Sequence, residues 1–459
     1  MVRCLFFPAL LLAAALTLAS SDPSSDPRLS KASRFAERNG WIQVHLEGSP
    51  DEIGFQHGFL LADEIEDTLQ VVSAEFAHDE KRDWAFFRSA ARDVFWPHVE
   101  EEYRAELNGI AEGLKARGSK LDLWDVVALN SWTEVTYYTK QLNHQTGGTA
   151  GRCSAFVATG SYTSDGRVVI GHNNWTNYAD GERWNIVFDI VPAGGYHILM
   201  DGMAGLIDSG DDFGMNSAGI IVTETTISEF SGFDPAGVPE FVRARKAMQY
   251  SASINDFVRI MKEGNNGGYA NNWLVADRNT GEIADLELGL KNVHLDRTRD
   301  GYFVGSNFPI DPQLIREETR FHTDDSGNSA NARHARWLTL MEENRGKIDI
   351  AAGERFLADH YDSFAKKVQP SERTLCGHAD LSPRGIANWL EPYAPAGAVQ
   401  NKVTSAALAA RMSFTAALGH ACGRNFSSAA HLARYANYEW YRPILRDMDA
   451  RPWTEFRAK

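Results

Sequence analysis

Gly151-Arg152-Cys153-Ser154-Ala155-Phe156-Val157 stands where the character of the chain changes. Upstream, Gln145 to Gly151 holds three glycines in seven residues, the composition of a flexible connector. Downstream, Ser154 to Ala158 is an apolar run that reads as a strand. Before the connector, residues 41–140 read as mainly helical. A short strand is expected at Trp41 to Leu46, and Ser49-Pro50-Asp51-Glu52 then reads as a helix start with acids in its first turn. That helix runs through Gln56, Leu60, Ile65 and Leu69 to about Phe76, and two more are expected over 84–117 and 121–138.

After the connector the pattern is strand-rich. Ser164-Asp165-Gly166-Arg167 is a hairpin turn, with a returning strand from Val168 to Gly171. Further strands are expected at Ile186 to Val191, His197 to Met200 and Gly219 to Ile227. Helices follow at 239–250 and 254–263, the second capped by Ser253, and strands resume at Trp273 to Ala276, Ile283 to Leu288 and Tyr302 to Gly305. The tail is read as helical over 331–344, 351–366 and 404–418, with loops between. Antiparallel strands interrupted by paired helices and then resumed predict an α+β fold, two stacked sheets covered by helices.

The 459 residues suffice for one large domain or two ordinary ones, and 43% hydrophobic with 23% charged residues is a globular composition. A net charge of −15, from 46 basic and 61 acidic side chains, argues against nucleic acid as a partner. Residues 1–20 have the form of a secretory signal: Arg3, the apolar stretch Leu5 to Leu18, and small Ala19 and Ser20. The apolar core of about 14 residues is shorter than the roughly 20 that span a bilayer, and no other segment is long enough for a stable membrane span. The expected location is therefore secreted or periplasmic, or a lysosome-like compartment in a eukaryote. The Ser/Pro/Asp-rich residues 21–40 read as a mobile lead.

Removal of the leader takes Cys4 with it and leaves Cys153, Cys376 and Cys422. An odd number in an exported chain suggests one pair and one free thiol. Cys376 and Cys422 share glycine-flanked settings, Leu375-Cys376-Gly377-His378 and Gly419-His420-Ala421-Cys422-Gly423, and are the expected disulfide. Two cysteines with two histidines as a tetrahedral metal set, or two unpaired buried thiols, are the alternatives.

The chain has no Gly-x-Ser-x-Gly elbow, His-Glu-x-x-His pair, phosphate loop or Cys-x-x-Cys. Cys153 remains. By composition a lone cysteine opening a strand is a core residue. The chemical alternative is attack of its thiol on the preceding carbonyl, an N-to-S acyl shift at Arg152–Cys153. Hydrolysis would then free a new N-terminus whose α-amine, with an ordinary pKa near 8, is a base beside the thiol.

The sequence here resembles the acyl-CoA:6-aminopenicillanic acid acyltransferase-like group of N-terminal nucleophile hydrolases, overlapping the phospholipase B-like proteins. The likeness runs over about residues 41–430. It rests on Gly48 to Gly58, Leu107 to Gly113, Cys153-Ser154-Ala155-Phe156, Gly171-His172-Asn173-Asn174-Trp175, Gly214 to Gly219, Gly237-Val238-Pro239 and Gly305-Ser306-Asn307-Phe308-Pro309. The resemblance implies a four-layer αββα sandwich with an N-terminal helical pro-segment. It divides the chain into a signal (1–20), a lead and pro-segment (21–152) and a catalytic domain (153–459). It makes Cys153 the nucleophile, its α-amine the base, and the Asn307 side-chain amide the oxyanion donor, with His172 and Asn174 beside them. Trp175, Thr176, Thr225 and Lys402 are the substrate-binding candidates. Thr176 stands where penicillin-forming members carry an aspartate that contacts the amine, so His172, Asn173 or Asn174 is expected to replace it. A late arginine of related enzymes has no counterpart in Ala398 to Thr404, which offers Lys402. The implied activity is cleavage or transfer at a linear amide through a thioester. The substrate would be an acyl amide or a lipid, with no metal or organic cofactor. The rival readings are a phospholipase B-like esterase and an inactive secreted binding protein.

Overall fold

The computed structural model describes residues 25–143, 153–211, 213–386 and 389–459. The expected leader (1–20), the glycine connector and Arg152 lie outside the described residues. Among those described, the principal strands form two sheets. The nine-stranded sheet runs Ser33–Arg34, Ile42–Gly48, Ile186–Pro192, Ile198–Gly202, Gly214–Asn216, Ile220–Thr226, Asn271–Asp277, Glu282–Leu288 and Val293–Thr298 in spatial order. The six-stranded sheet runs Gly301–Gly305, Cys153–Thr159, Val169–Asn177, Ala396–Ser405, Ser413–Leu418 and Thr454–Arg457. Pairing is antiparallel except between Ile42–Gly48 and Ile186–Pro192.

Strand alternation sorts the apolar side chains into layers. Ala155, Val157 and Ile170 of the smaller sheet meet Val187, Leu199, Ile221 and Leu274 of the larger one between the sheets. Phe156 and Val169, on the opposite face, pack on Trp337 and Met341 of helix Ser329–Glu343 and on Phe356 of helix Ile350–Leu357. The outer face of the large sheet is covered by the helices of residues 50–142 and by Glu240–Tyr250 and Ile254–Lys262. The architecture is therefore the four-layer αββα sandwich.

The segment before the connector is built into this sandwich, since Ile42–Gly48 is an interior strand of the large sheet. Its helices Pro50–Leu60 and Glu101–Ala116 cross on glycines: a Cβ at Gly54 would lie 1.9 Å from the Glu106 carbonyl oxygen, and one at Gly113 would lie 2.3 Å from that of Phe55. Only glycine permits so close a backbone approach. Residues 25–40 are docked rather than mobile: Arg28 pairs with Asp26 and Glu112 and lies 3.5 Å from the centre of the Phe55 ring.

The tail departs from the sequence expectation. Residues 404–418 are not one helix but the end of strand Ala396–Ser405, a turn of helix at Ala406–Ala409 and strand Ser413–Leu418. Ala396–Ser405 is interior to its sheet and buried along nearly its whole length, polar Gln400, Asn401 and Lys402 included, so it carries no two-residue alternation to read. Helix 351–366 also ends early, at Leu357.

Candidate active site

Cys153 opens the strand Cys153–Thr159, and register places Asn174 opposite it and His172 opposite Ala155. All three side chains therefore share the inward face. The thiol sulfur is 4.0 Å from Asn174 Oδ1 and 4.0 Å from Oε1 of Glu224, which reaches across from strand Ile220–Thr226 of the other sheet. The Cys153 backbone N–H donates to Asn307 Oδ1 at 3.2 Å, and its carbonyl accepts from Arg333 Nη1 at 2.5 Å. Arg333 also donates to Ser154 Oγ at 3.1 Å and Asn307 Oδ1 at 2.9 Å, and its guanidinium lies 4.5 Å from the centre of the Trp175 ring.

These contacts give Asn307 a holding role beside the one the resemblance implies. Its Nδ2 donates to the Thr226 carbonyl at 2.9 Å, while Oδ1 accepts from both Cys153 N and Arg333. The Arg333 donor and the Thr226 acceptor set the amide orientation, so Oδ1 holds the Cys153 nitrogen and one of the two Nδ2 hydrogens is committed to Thr226. Its φ of 67° is left-handed, a conformation asparagine tolerates better than most residues. Asn174 has the open donor: its buried Nδ2 finds no partner among the described residues.

Three substrate-binding candidates are committed elsewhere. Lys402 Nζ is buried against Asp201, at 2.9 Å, Asp211 and Gln400. Burial pushes this amine down, but the two carboxylates outweigh it and hold it charged. Thr176 Oγ1 donates to Asp180, and Trp175 Nε1 donates to the Leu375 carbonyl at 3.3 Å beneath Arg333. Thr225 packs against Gly305, where an added Cβ would lie 2.5 Å from its Cγ2. His172 is wholly buried, with Asp211 3.8 Å from Nδ1 and neither ring nitrogen hydrogen-bonded among the described residues. Burial and Lys402 pull its pKa well below the usual range, so it is neutral.

Burial, then the nearby Glu224 carboxyl, pushes the Cys153 thiol well up; burial likewise raises Glu224, against a hydrogen bond from Tyr269 Oη at 3.0 Å. A thiol held neutral thus faces a carboxyl whose ionisation burial disfavours. Burial lowers Arg333 to about 9, which leaves it a cation at neutral pH. A small pocket lined by Phe76, Trp132, Thr133, Thr136, Tyr137, Thr226 and Tyr269 adjoins this group through its last two residues. Tyr269 is bonded to Glu224 and the Thr226 carbonyl to Asn307. Helices from before the connector supply five of those seven residues.

Glu224, Tyr269 and Arg333 escaped the sequence reading. Glu224 left a signal, an acid inside the strand Ile220-Ile221-Val222-Thr223-Glu224. Arg333 left none, because the buried residues around it in the first turn of its helix, Ser329, Ala330, Asn331 and Ala332, are small or polar.

The expected Cys376–Cys422 disulfide is not formed, and both are free thiols. Instead of facing each other alone, the two sulfurs share their space with His360 and His378, all four donor atoms lying within 4.8 Å of one another.

The phospholipase B family model matches residues 66–287. The resemblance read from the sequence holds. A putative phospholipase B-like 1 protein of Caenorhabditis elegans is 25% identical over 59% of this chain and 52% of its own length. An acyl-coenzyme A:6-aminopenicillanic-acid-acyltransferase 40 kDa form of Emericella nidulans is 25% identical over 54% of this chain and 63% of its own. The chain thus spans roughly half the length of the curated relatives it matches. Among solved structures, a mutant form of the conjugated bile acid hydrolase of Clostridium perfringens aligns at 10% identity and TM-score 0.30, over 57% of this chain and 88% of that one.

Proposed function

We propose that this chain is an exported cysteine N-terminal nucleophile hydrolase or acyltransferase, matured by cleavage before Cys153 and acting on linear N-acyl amides. One observation carries the reading: Cys153 combines a thiol aimed at the interior polar group with a backbone nitrogen held by Asn307 and a carbonyl held by Arg333. In maturation the thiol adds to the Arg152 carbonyl and the C–N bond breaks. The acyl group moves to sulfur, and the nitrogen, still against Asn307 Oδ1, leaves as an amine. Water then releases the upstream chain. In turnover the amine accepts the thiol proton as sulfur attacks the substrate carbonyl, and returns it to the departing amine. Asn174 Nδ2 supplies a donor to the oxyanion, an interaction whose loss typically costs about 10²–10³ in kcat. Water or an acceptor amine resolves the thioester.

Denaturing electrophoresis with N-terminal sequencing tests this. Wild-type protein should give two fragments, the larger beginning at Cys153, and Cys153→Ala should run as one inactive chain. A single wild-type band with full activity contradicts the proposal; a single band without activity favours a secreted binding protein. The family match over 66–287 and the aromatic pocket favour a second reading, a lipid acyl hydrolase using the same residues. Turnover of lysophospholipids orders of magnitude above that of N-acyl amino acids would select it.

A further inference from the structure

A second cluster lies on the other side of strand Val169–Asn177 from the thiol. It draws on three separate segments: His360 just past helix Ile350–Leu357, Cys376 and His378 in the following loop, and Cys422 in the turn after strand Ser413–Leu418. His360 Nε2 and His378 Nε2 are 3.1 Å apart, Cys376 Sγ is 3.4 Å from His378 Nε2, and Cys422 Sγ is 3.6 Å from it. A zinc tetrahedron with the usual bond lengths has nitrogen–nitrogen edges of about 3.3 Å and nitrogen–sulfur edges of about 3.6 Å. The three distances to His378 Nε2 thus match the edges of a metal's coordination shell, and the other donor pairs lie within 4.8 Å of one another. Cys376 and His378 are completely buried. His378 Nδ1 points toward the Asp380 carboxylate at 3.7 Å, the side on which a metal-bound imidazole needs an acceptor.

We propose that His360, Cys376, His378 and Cys422 bind one Zn²⁺ in a closed, structural site. Two sulfurs and two imidazoles in this geometry select zinc over harder cations. Both cysteines bind as thiolates, so two thiol protons leave as the ion enters. Four protein ligands leave no position for water, and the site is therefore not catalytic. Its place in the fold gives it a task. Gly377, between two ligands, is pressed on the Trp175 indole so closely that a Cβ would lie 2.1 Å from it, and Trp175 in turn supports Arg333. The ion ties three loops into one plate behind the strand that carries Asn174. His420, the other histidine of the glycine-flanked loops, is not in the shell; its Nε2 is 3.2 Å from Tyr178 Oη.

The test is elemental analysis of the full-length protein, purified without metal-affinity resin or chelator and equilibrated with dilute zinc sulfate. One zinc per chain is expected, released when a mercurial blocks the thiols. Cobalt replacement should give the intense visible bands of a tetrahedral thiolate site. Cys376→Ser and Cys422→Ser should each lose the ion, while Cys153→Ala keeps it, which separates this site from the active-site proposal. Should the serine variants fail to fold, the wild-type stoichiometry and cobalt spectrum decide. A zinc-free folded protein, another metal, a Cys376–Cys422 disulfide in a non-reducing peptide map, or zinc retained by a folded serine variant would each overturn the site.

Discussion

On the outward face of strand Val169–Asn177, side-chain donors are engaged: Asn173 Nδ2 bonds the carbonyls of Leu357 at 3.0 Å and Leu375 at 2.8 Å, and Trp175 Nε1 bonds Leu375 as well. On its inward face Thr176 Oγ1 is bonded to Asp180, but beside the thiol Asn174 Nδ2 and both nitrogens of His172 are buried with no hydrogen bond among the described residues. Burying a polar group without a partner costs about 1–3 kcal/mol. A strand that satisfies the donors of one face and leaves those of the other open beside the thiol has an outward face selected for stability. Its inward face is set up for a group that arrives later. One residue of register would exchange the two.

Mutations at neighbouring positions sharpen this contrast. The largest effect is expected at the inward thiol: Cys153→Ala should bring turnover to background and leave the chain intact by mass. Asn174→Ala should lower kcat by about 10²–10³, the loss of one oxyanion donor, with a melting temperature near that of wild type. One residue away, Asn173→Ala should do the reverse. It takes the side-chain donor from the Leu357 carbonyl and one of two donors from the Leu375 carbonyl, and should cost about 2 kcal/mol in denaturant unfolding, while kcat of the folded fraction is retained. Equal effects of the two substitutions on both readouts would dissolve the distinction between the faces.

The smallest effect concerns Glu224, whose pKa burial raises in the folded chain. The folded state then holds a proton that the unfolded state gives up above about 4.3, so stability falls as pH rises from that value toward the raised folded pKa. In an uncleaved Cys153→Ala background, Glu224→Gln should flatten this decline, giving higher stability than the parent at pH 8 and little difference at pH 4. Urea unfolding at the two pH values measures it. A steeper decline in the variant would mean that Glu224 is ionised in the folded chain.

Much of the fold was legible because its signals are local. The glycine connector, the apolar run after Cys153 and the hairpin at Ser164 to Arg167 mark the first pair of the small sheet, and the glycines of Gly48 to Gly58 and Leu107 to Gly113 mark a close helix crossing. Ala396–Ser405 was not legible, since an interior strand with both faces buried loses its alternation. Nor was the docking of residues 25–40, which depends on Arg28 meeting Glu112 across 84 positions of chain.

The order of residues alone showed which thiol opens a strand, because strand propensity and glycine punctuation act over a few neighbours, and the family likeness made that thiol the head of the candidate site. Three-dimensional packing decided what surrounds that atom. Glu224 comes from the other sheet, Arg333 from the covering helix, and Asn307 turns its carbonyl rather than its amide toward Cys153. It also decided that Cys376 and Cys422 meet two histidines instead of pairing with each other. Such contacts are fixed by sheet register and layer stacking, which bring together side chains that share no local pattern.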